Sequence, residues 1–303
     1  MGTVAVIASF MMDHISYVEH LPHPGETVRA REFRITVGGK GFNQSVAARR
    51  MGAEVSALGC LGRDLMGDQF LRYLQAENID TSGLVFTDTA STGVGMPVVD
   101  RQGQNAIVIA PGANQHITEA ALLAGAHLIE QADVLLLQLE IPLGVGVKAA
   151  GIAKSAGTTV VLNPAPVADI SQYRGLVDII VPNENEAAEL GGGPTDVTAQ
   201  AALLADQLEI PVVIVTLGAQ GALSWQNGDA HHYPANVVAA VDTTGAGDCF
   251  CGTLCAQLAD GSGLEDAIRT AMAACELAVT RQGAADAMPT SAEVAGLLSV
   301  TAP

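Results

Sequence analysis

The sequence predicts an α/β fold, a three-layer αβα sandwich whose central sheet is mostly parallel. Short apolar runs alternate with alanine-rich segments of helical periodicity along the 303 residues. Continuous apolar strands are typical of parallel sheets covered by helices on both faces. Two regions, about 13–36 and 93–110, interrupt the alternation with strand-like runs. We expect a single domain, 1–303, in which these regions form a small β-sheet lid, with ordinary surface hairpins as the alternative.

Six apolar runs are predicted as strands of the main sheet, and helical patterns lie between them. The strands are 4–8, 55–62, 134–140, 158–164, 178–183 and 211–218, and the helices are 43–51, 67–77, 118–131, 145–156, 185–190, 198–209 and 246–259. Sheets of this kind bind ligands beyond the carboxyl ends of their strands. The polar residues at those ends, Glu140, Asn163 and Asn183, are therefore predicted to face a binding site, together with 216–218.

Composition and charge argue against several classes of function. The formal net charge of −18 predicts neither a nucleic-acid partner nor adhesion to an anionic membrane. No apolar run reaches about 18 residues, and no basic residues precede the N-terminal one, so neither a membrane span nor a signal peptide is predicted. The five cysteines show no disulfide pattern, which favours a reducing cytoplasm. Cys249, Cys251 and Cys255 are interpreted as buried helix residues, since further metal ligands are missing nearby.

The first motif is Gly-Gly-Lys-Gly at 38–41, which precedes a predicted helix beginning near Phe42. Glycines let the backbone approach a ligand, and the start of a helix supplies free N–H groups. Lys40 adds a cation, Asn43 adds an amide, and Asp13 could accept two vicinal hydroxyls. The spacing matches neither the Walker motif nor a dinucleotide fingerprint. A polyhydroxylated ligand suits this set; a tight turn with an exposed lysine and a capping aspartate is the alternative.

The second motif is VDTTGAGDCF at 241–250, and it leads into the last predicted helix. The N–H groups of Gly245, Ala246 and Gly247 would converge at the helix N-terminus and stabilise a phosphate-like anion. A carboxylate in the first helical turn is favourable in itself and could explain Asp248. Alternatively, Asp248 accepts the proton of an alcohol while the N–H groups hold a phosphoryl group in transfer.

Together the two motifs resemble the paired signatures of the ribokinase (PfkB-type) sugar kinase family. Related segments follow in the same order along nearly the whole chain: HPGETV at 23–28, STGVGMPVVD at 91–100, LNPAP at 162–166, VPNENEAAEL at 181–190, VTLGAQGAL at 215–223 and AVTRQGA at 278–284. The ribokinase branch is the most similar. The resemblance implies a cytoplasmic ATP-dependent kinase that phosphorylates a primary hydroxyl of a small sugar, uses Mg²⁺ and K⁺, and forms a homodimer through its lid.

The resemblance also assigns roles to individual residues. Asp248 corresponds to the catalytic base, and the backbone of Gly245, Ala246 and Gly247 corresponds to the anion hole. The sugar would be held by Asp13, Met11, Gly39, Lys40, Asn43 and Glu140, together with Asp248. ATP would be held by Asn183, Thr216, Gly218, Gly221, Gly247 and Met272. Glu186 would bind Mg²⁺ through water, and a K⁺ loop that binds mostly by backbone carbonyls would comprise Asp242, Thr244, Ala278, Arg281 and Gly283.

Three positions depart from the usual family pattern. Met11 replaces an asparagine, Phe42 replaces a small residue, and Met272 replaces a polar residue that contacts adenine. The first two changes are expected to make the sugar pocket more apolar, which alters discrimination between hydroxyl-bearing substrates. Ribose, a deoxysugar, another pentose and a ketose therefore stay open. A larger apolar pocket around Phe10, Met11 and Phe42 would favour a nucleoside kinase, and a non-catalytic sugar-binding regulator is the third hypothesis.

Overall fold

Thirteen strands and ten α-helices alternate along residues 1–192 and 196–301, the part of the chain that this computed structural model describes. The strands are β1 (Thr3–Ile7), β2 (Met11–Tyr17), β3 (Glu32–Gly38), β4 (Glu54–Gly62), β5 (Asp80–Thr87), β6 (Gly93–Val99), β7 (Asn105–Ala110), β8 (Val134–Leu137), β9 (Thr159–Leu162), β10 (Ile179–Ile180), β11 (Val212–Thr216), β12 (Ala222–Gln226) and β13 (Asp229–Tyr233). The helices are α1 (Lys40–Arg50), α2 (Leu65–Ala76), α3 (Glu119–Ala124), α4 (Ala126–Glu130), α5 (Leu143–Ala156), α6 (Glu184–Leu190), α7 (Val197–Leu208), α8 (Ala246–Ala259), α9 (Leu264–Ala278) and α10 (Ser291–Thr301).

The larger sheet has nine strands within the described residues, in the order β13-β12-β11-β10-β9-β8-β1-β4-β5. The pairs from β11 to β5 are all parallel, whereas β12 and β13 add an antiparallel hairpin at one edge. The predicted mostly parallel sheet is therefore confirmed. Its parallel strands place their carboxyl ends at one edge, which is where both sequence motifs also lie.

Two apolar layers cover the two faces of this sheet. Alternate residues of β1 point to opposite sides, so Val4 and Val6 pack with α1, α2, α8 and α9, whereas Ala5 and Ile7 pack with residues of α3, α4, α5 and α7. All four side chains are at most 1% exposed. This arrangement confirms the predicted three-layer αβα sandwich.

The second sheet contains β3-β2-β6-β7 in that order. Strands β2 and β6 run parallel, and β3 and β7 pair with them antiparallel. The four strands come from the two regions that interrupt the α/β alternation in the sequence, so the predicted separate small sheet is present. Its Asp13 pairs with Thr36 on β3 and with Gly95 on β6, so the three residues lie side by side on one face.

The structure corrects several predicted boundaries. The single helix expected over 118–131 is two short helices, because the chain bends at Gly125, which ends α3 and precedes α4. Strand β5, the β12–β13 hairpin and the helices α9 and α10 were not predicted. Strand β8 ends at Leu137, so Glu140 lies three residues beyond it. By contrast, the prediction of a helix over 246–259 matches α8 at both ends.

No helix in the described ranges is long and apolar enough to cross a membrane. All five cysteines, which lie within those ranges, are free thiols. Cys249, Cys251 and Cys255 are buried, as their helical spacing predicts. No cluster of three potential metal-ligating side chains occurs among the residues that the structure describes.

Candidate active site

The two glycine motifs meet because α1 and α8 pack in close contact. Gly252 lies at their contact, where an added Cβ would fall 2.4 Å from the carbonyl oxygen of Gln44 and 2.6 Å from Cβ of Ala47. Only a residue without a side chain permits this approach. The close contact brings Asn43 and Gln44, at the start of α1, against Asp248 in the first turn of α8.

A cavity of about 170 Å³ opens where these helices begin. Its lining combines residues from both motifs with the carboxyl ends of three strands: Lys40, Asn163, Val181, Asn183, Glu186, Thr216, Thr243, Gly245, Ala246, Gly247, Asp248 and Cys251. Of the predicted site residues, Lys40, Asp248 and the 245–247 turn thus share one space with Asn183, Glu186 and Thr216. Asn43 and Glu140 adjoin it through hydrogen bonds to Asp248 and to the Lys40 backbone, and Asp13 adjoins it through the charge of Glu140.

Asp248 is the buried carboxylate of this cavity, only 6% exposed. Its Oδ2 accepts a hydrogen bond from Asn43 Nδ2 at 2.8 Å, and its Oδ1 accepts one from Gln44 Nε2 at 3.0 Å. Burial raises the pKa of Asp248, and the charge of Lys40 and these two amide donors oppose the rise. A buried carboxylate with a raised pKa beside a helix N-terminus is suited to accept a proton.

Lys40 is the cation of the site. Burial on its own would lower the pKa of this ammonium group, but the carboxylates of Asp248, Glu140 and Glu186 outweigh that effect and raise it. Lys40 therefore stays protonated, and its charge is shared among three acidic groups. Such a cation is positioned to attract an anionic ligand into an otherwise acidic cavity.

The predicted anion hole is partly occupied by the protein's own backbone. Gly245 has φ of 74° and caps α8, and the N–H of Ala246 already donates to the carbonyl oxygen of Thr243 at 3.2 Å. Within the described residues, the N–H groups of Gly245 and Gly247 have no such partner. A Cβ at Gly247 would meet open space, so its backbone is accessible. The three-donor site expected from the sequence is thus reduced to two uncommitted donors.

Asp13 and Glu140 form a carboxylate pair beside the cavity. Glu140 Oε2 accepts hydrogen bonds from Ser9 Oγ at 2.6 Å and from the backbone N–H of Lys40 at 2.9 Å. Burial, together with the charge of Glu140, raises the pKa of Asp13 to about 6. The carboxylate of Asp13 lies where a Cβ at Gly95 would stand, 2.1 Å from Oδ1, so glycine at 95 makes room for it.

Met11 lies near the same carboxylates. It is two residues before Asp13 on β2 and therefore shares its face of the second sheet. The side chain is 7% exposed, and its Cγ would be 3.5 Å from a Cβ at Gly95. Gly39, with φ of 99°, passes close to the Ser9 carbonyl and caps α1. These positions support the prediction that Met11 and Gly39 border the sugar pocket.

On the opposite side of the cavity, Asn183 and Glu186 close the first turn of α6. The Asn183 side chain accepts from the N–H of Glu186 at 2.9 Å, and the Glu186 carboxylate accepts from the N–H of Asn183 at 2.8 Å. This capping box fixes both side chains at the cavity wall. Thr216 pairs with Asn183 through an isolated parallel bridge. Gly218, Gly221 and Met272 lie outside the cavity lining, so the structure does not bring these three predicted ATP-binding residues to it.

The predicted cation loop is assembled from two segments. Asp242 accepts hydrogen bonds from the N–H of Thr244 at 2.9 Å and from the N–H of Gly283 at 3.0 Å. Although partial burial acts in the opposite direction, these bonds lower the pKa of Asp242. Ala278 accepts from the N–H of Arg281 at 3.0 Å, and the Arg281 guanidinium is paired with Glu293 instead of facing the loop. The five predicted residues are thus neighbours, and the side chain of Arg281 points elsewhere.

One expectation from the sequence is wrong. Phe42 does not make the sugar pocket more apolar, because it is fully buried in an aromatic cluster with Phe10, Phe70 and Tyr73. The ring centroids of Phe42 and Phe70 are 5.0 Å apart. The residue lies in the first turn of α1, on the side that faces the core, so its side chain points into the core rather than toward a ligand. Phe10 is fully buried as well, whereas Met11 lies close to Asp13 and Gly95.

Comparison with known proteins identifies the family. Residues 1–291 match the family described as pfkB family carbohydrate kinase. The chain belongs to this family. It is 38% identical to a ribokinase of Haemophilus influenzae over 96% of both chains and 36% identical to a deoxyribokinase of Salmonella typhi over 94% and 95%. The structure of Arabidopsis thaliana ribokinase complexed with ribose and ATP superimposes with a TM-score of 0.91 at 29% identity, covering 98% and 99% of the two chains.

This pfkB-family site contains polar residues that the sequence motifs did not indicate. Gln44 and Gln138 are almost completely buried and hydrogen-bonded to each other at 2.6 Å, and Ser9 holds Glu140. Cys251 lines the cavity although it was interpreted only as a buried helix residue. Gln44 directly follows Asn43 in a polar stretch that is buried throughout. The run of three polar residues at 43–45, directly before the apolar residues 46–48 of the same helix, was the available signal.

Proposed function

We propose that this chain transfers the terminal phosphoryl group of ATP to a primary hydroxyl of a small sugar, ribose or a related pentose, deoxysugar or ketose. The observation that carries the proposal is the single cavity shared by the Asp248 carboxylate, the Lys40 cation and the free backbone donors of α8. Phosphoryl transfer requires positioned positive charge and a base close to the acceptor hydroxyl. This cavity provides both.

In the proposed step, Asp248 removes the proton from the acceptor hydroxyl as its oxygen attacks the terminal phosphorus of ATP. The new phosphorus–oxygen bond forms on the sugar, the bond to the leaving ADP breaks, and the proton resides on the Asp248 carboxyl. The raised pKa of Asp248 favours this proton transfer. The N–H groups of Gly245 and Gly247 and the Lys40 ammonium would stabilise the charge on the transferring group.

The sugar would lie between the Asp13–Glu140 pair and Asp248. Two carboxylates at hydrogen-bonding distance from a polyol can each accept from vicinal hydroxyls. Asn43 donates to Asp248 while its own Oδ1 is buried without a partner in the structure, so this oxygen is an acceptor available to a sugar hydroxyl. Gly39 and Lys40 would complete the pocket. Met11 offers no hydrogen bond, which favours a sugar that lacks a hydroxyl at that point.

The residues at the far side of the cavity fit a metal-bound nucleotide. Glu186 is a rigidly held carboxylate at the cavity wall, suited to hold Mg²⁺ through water, and Asn183 and Thr216 line the same wall. Mg²⁺ would neutralise charge on the triphosphate. Gly218, Gly221 and Met272 would contact the nucleotide beyond the cavity, and backbone carbonyls of the Asp242–Thr244 and Ala278–Gly283 segments would hold K⁺.

The second sheet is proposed as the lid and as the dimer interface. Ile107 and Ile109 on the Asp13 face are more than half exposed and could cover a bound sugar. On the opposite face, Phe33, Ile35, Met96 and Val108 are 40–63% exposed. An exposed apolar face on a small sheet is typical of an interface, and a second copy of this chain is the proposed occupant. The free cysteines favour a cytoplasmic location.

A panel of acceptors tests the proposal. ADP release is measured with ribose, deoxyribose, fructose and adenosine, each with ATP and Mg²⁺. We expect a sugar to give the highest kcat/KM. A preference for adenosine would replace the sugar by a nucleoside as the substrate. The buried positions of Phe10 and Phe42 argue against that alternative, because they remove most of its apolar pocket. Absence of turnover with every acceptor would support a non-catalytic regulator.

A further inference from the structure

Three buried amide side chains form a hydrogen-bonded chain that ends at Asp248. Asn163 Nδ2 donates to the backbone carbonyl of Val181 at 2.9 Å, and Asn163 Oδ1 accepts from Gln44 Nε2 at 3.1 Å. Gln138 Nε2 donates to Gln44 Oε1 at 2.6 Å. The second N–H of Gln44 reaches Asp248 Oδ1 at 3.0 Å. Gln44 is fully buried, and Gln138 and Asn163 are 1% and 7% exposed.

The orientation of each amide group in this hydrogen-bonded chain is fixed by the backbone carbonyl of Val181 at one end. A backbone carbonyl can only accept, so Asn163 must present its NH₂ group to Val181 and its oxygen to Gln44. Gln44 must then present its own NH₂ group to Asn163, which places its second N–H toward Asp248 and its oxygen toward Gln138. If the Gln44 amide were turned over, its oxygen would face two acceptors and its NH₂ group would face the donor of Gln138. Every polar atom of Gln44 is satisfied only in the observed orientation.

We propose that Gln44 is a positioning residue that holds the Asp248 carboxylate, and that the amide chain running from the Val181 carbonyl keeps the Gln44 donor directed at it. The inference rests on the proposed function, because it gives Gln44 a role only if Asp248 is the base. Gln138 is not among the residues that line the cavity and its hydrogen bond is to Gln44, so it acts through Gln44. An unpaired donor or acceptor this deeply buried would be costly, which makes the arrangement rigid.

The charged and titratable groups around Asp248 act in both directions. The ammonium of Lys40 and the donors of Asn43 and Gln44 lower the pKa of Asp248 against the larger effect of burial, and the charge of Glu140 adds to the rise. The Cys251 thiol, one helical turn away, is itself held protonated by burial. Glu186 lines the same cavity. Loss of the Gln44 donor therefore raises the pKa of Asp248 further, so a smaller share of Asp248 is ionised at low pH.

The test is the pH profile of kcat/KM in a Gln44→Met variant, measured with ATP, Mg²⁺ and the sugar of the panel that gives most ADP. Methionine keeps the length of the side chain and removes the donor. We expect kcat/KM at the acidic end of the profile to fall about tenfold relative to the parent, which corresponds to one hydrogen bond to a charged group. The loss shrinks as the pH rises, because a larger share of Asp248 is then ionised in both proteins. A residue that only supports the fold would lower kcat/KM equally at every pH.

Two further variants make the test decisive. Gln138→Met should give a weaker loss in the same direction, about two- to threefold, because Asn163 still orients Gln44. If thermal unfolding and ATP binding show that Gln44→Met does not fold, the Gln138→Met variant tests the positioning role instead. The matched control is Ser45→Ala, a fully buried polar residue of the same helix whose hydroxyl donates to the Gly41 carbonyl at 2.7 Å. Its pH profile should be that of the parent.

The outcomes separate this inference from the proposed function. A folded Gln44→Met variant, or a folded Gln138→Met variant if the first does not fold, with the parent's pH profile overturns the positioning role. If Asp248→Asn is inactive in the same assay, that result leaves Asp248 as the base. If instead Asp248→Asn turns over like the parent, the proposed base is wrong and the role of Gln44 falls with it.

Discussion

Protonation of Asp13 should weaken sugar binding below about pH 6. Burial and the charge of Glu140 raise the pKa of Asp13 to about 6, far from the ordinary value of a surface aspartate. The ionised carboxylate accepts hydrogen bonds from sugar hydroxyls on both oxygens, whereas the protonated acid donates from one of them. The binding form therefore dominates above pH 6 and is lost as the pH falls through that value.

The size of the effect follows from the titration. At pH 5, one unit below the pKa, only about one-tenth of Asp13 is ionised. The dissociation constant for the sugar should therefore be about tenfold higher at pH 5 than at pH 8. Asp13→Asn removes the charge and should weaken binding at pH 8 by roughly 10- to 100-fold, since hydrogen bonds to charged groups contribute about 1.5–3 kcal/mol. In that variant the dependence on pH should disappear.

Isothermal titration calorimetry without ATP is the appropriate assay, because binding alone does not require a base. Glu140→Gln provides a second check: loss of the neighbouring charge lowers the pKa of Asp13, so the midpoint of the binding curve moves to lower pH. Parent protein whose affinity is constant from pH 5 to pH 8 would refute the reasoning. So would an Asp13→Asn variant that keeps the parent's pH dependence.

Three further predictions concern the core, the carboxylate of Glu186 in the cavity lining and the second sheet. Phe42→Ala should lower the free energy of unfolding in urea by about 3–5 kcal/mol and leave the sugar affinity of the folded protein close to that of the parent. A large loss of sugar affinity would show that Phe42 contacts the sugar after all. Glu186→Gln keeps an acceptor for the N–H of Asn183 but loses the negative charge. The unfolding temperature should therefore stay the same, while the Mg²⁺ concentration that gives the half-maximal rate should rise about tenfold. An unchanged Mg²⁺ titration would contradict this prediction. We expect light scattering to give a dimer for the parent and a monomer for Val108→Asp, and a dimeric variant would show that the interface lies elsewhere.

Much of the fold could be predicted because its signals are local. Apolar runs of five to eight residues mark six of the seven parallel strands, all except β5, and glycine turns mark the starts of α1 and α8. The second sheet could also be located, because the alternation of apolar strands and helical segments is interrupted in the two regions that form it. The β12–β13 hairpin was missed since β13 is almost entirely exposed and reads DAHHY, without an apolar alternation. Strand pairing at a sheet edge depends on its neighbour more than on its own residues.

The site was predictable where a residue's role depends on its own motif. Lys40, Asp248, Asn183 and Glu186 do line one cavity, as the motifs indicate. Side-chain direction was not predictable: Phe42 lies within a binding motif, and its contact with Phe70 decides that it points into the core. Gln44 and Gln138 are 94 residues apart and carry no motif of their own. Their connection exists only in the folded chain, where Gln138, just beyond β8, reaches the first turns of α1.

The catalytic role of Asp248 is tested most directly by kcat of the Asp248→Asn variant with ATP, Mg²⁺ and the best sugar of the panel. Asparagine preserves the shape of the side chain and can no longer take the hydroxyl proton. We predict a fall in kcat of about 10²–10⁴, the usual contribution of a general base, with ATP and sugar still bound. A variant that binds both substrates and turns over at the parent's rate would contradict the proposed mechanism.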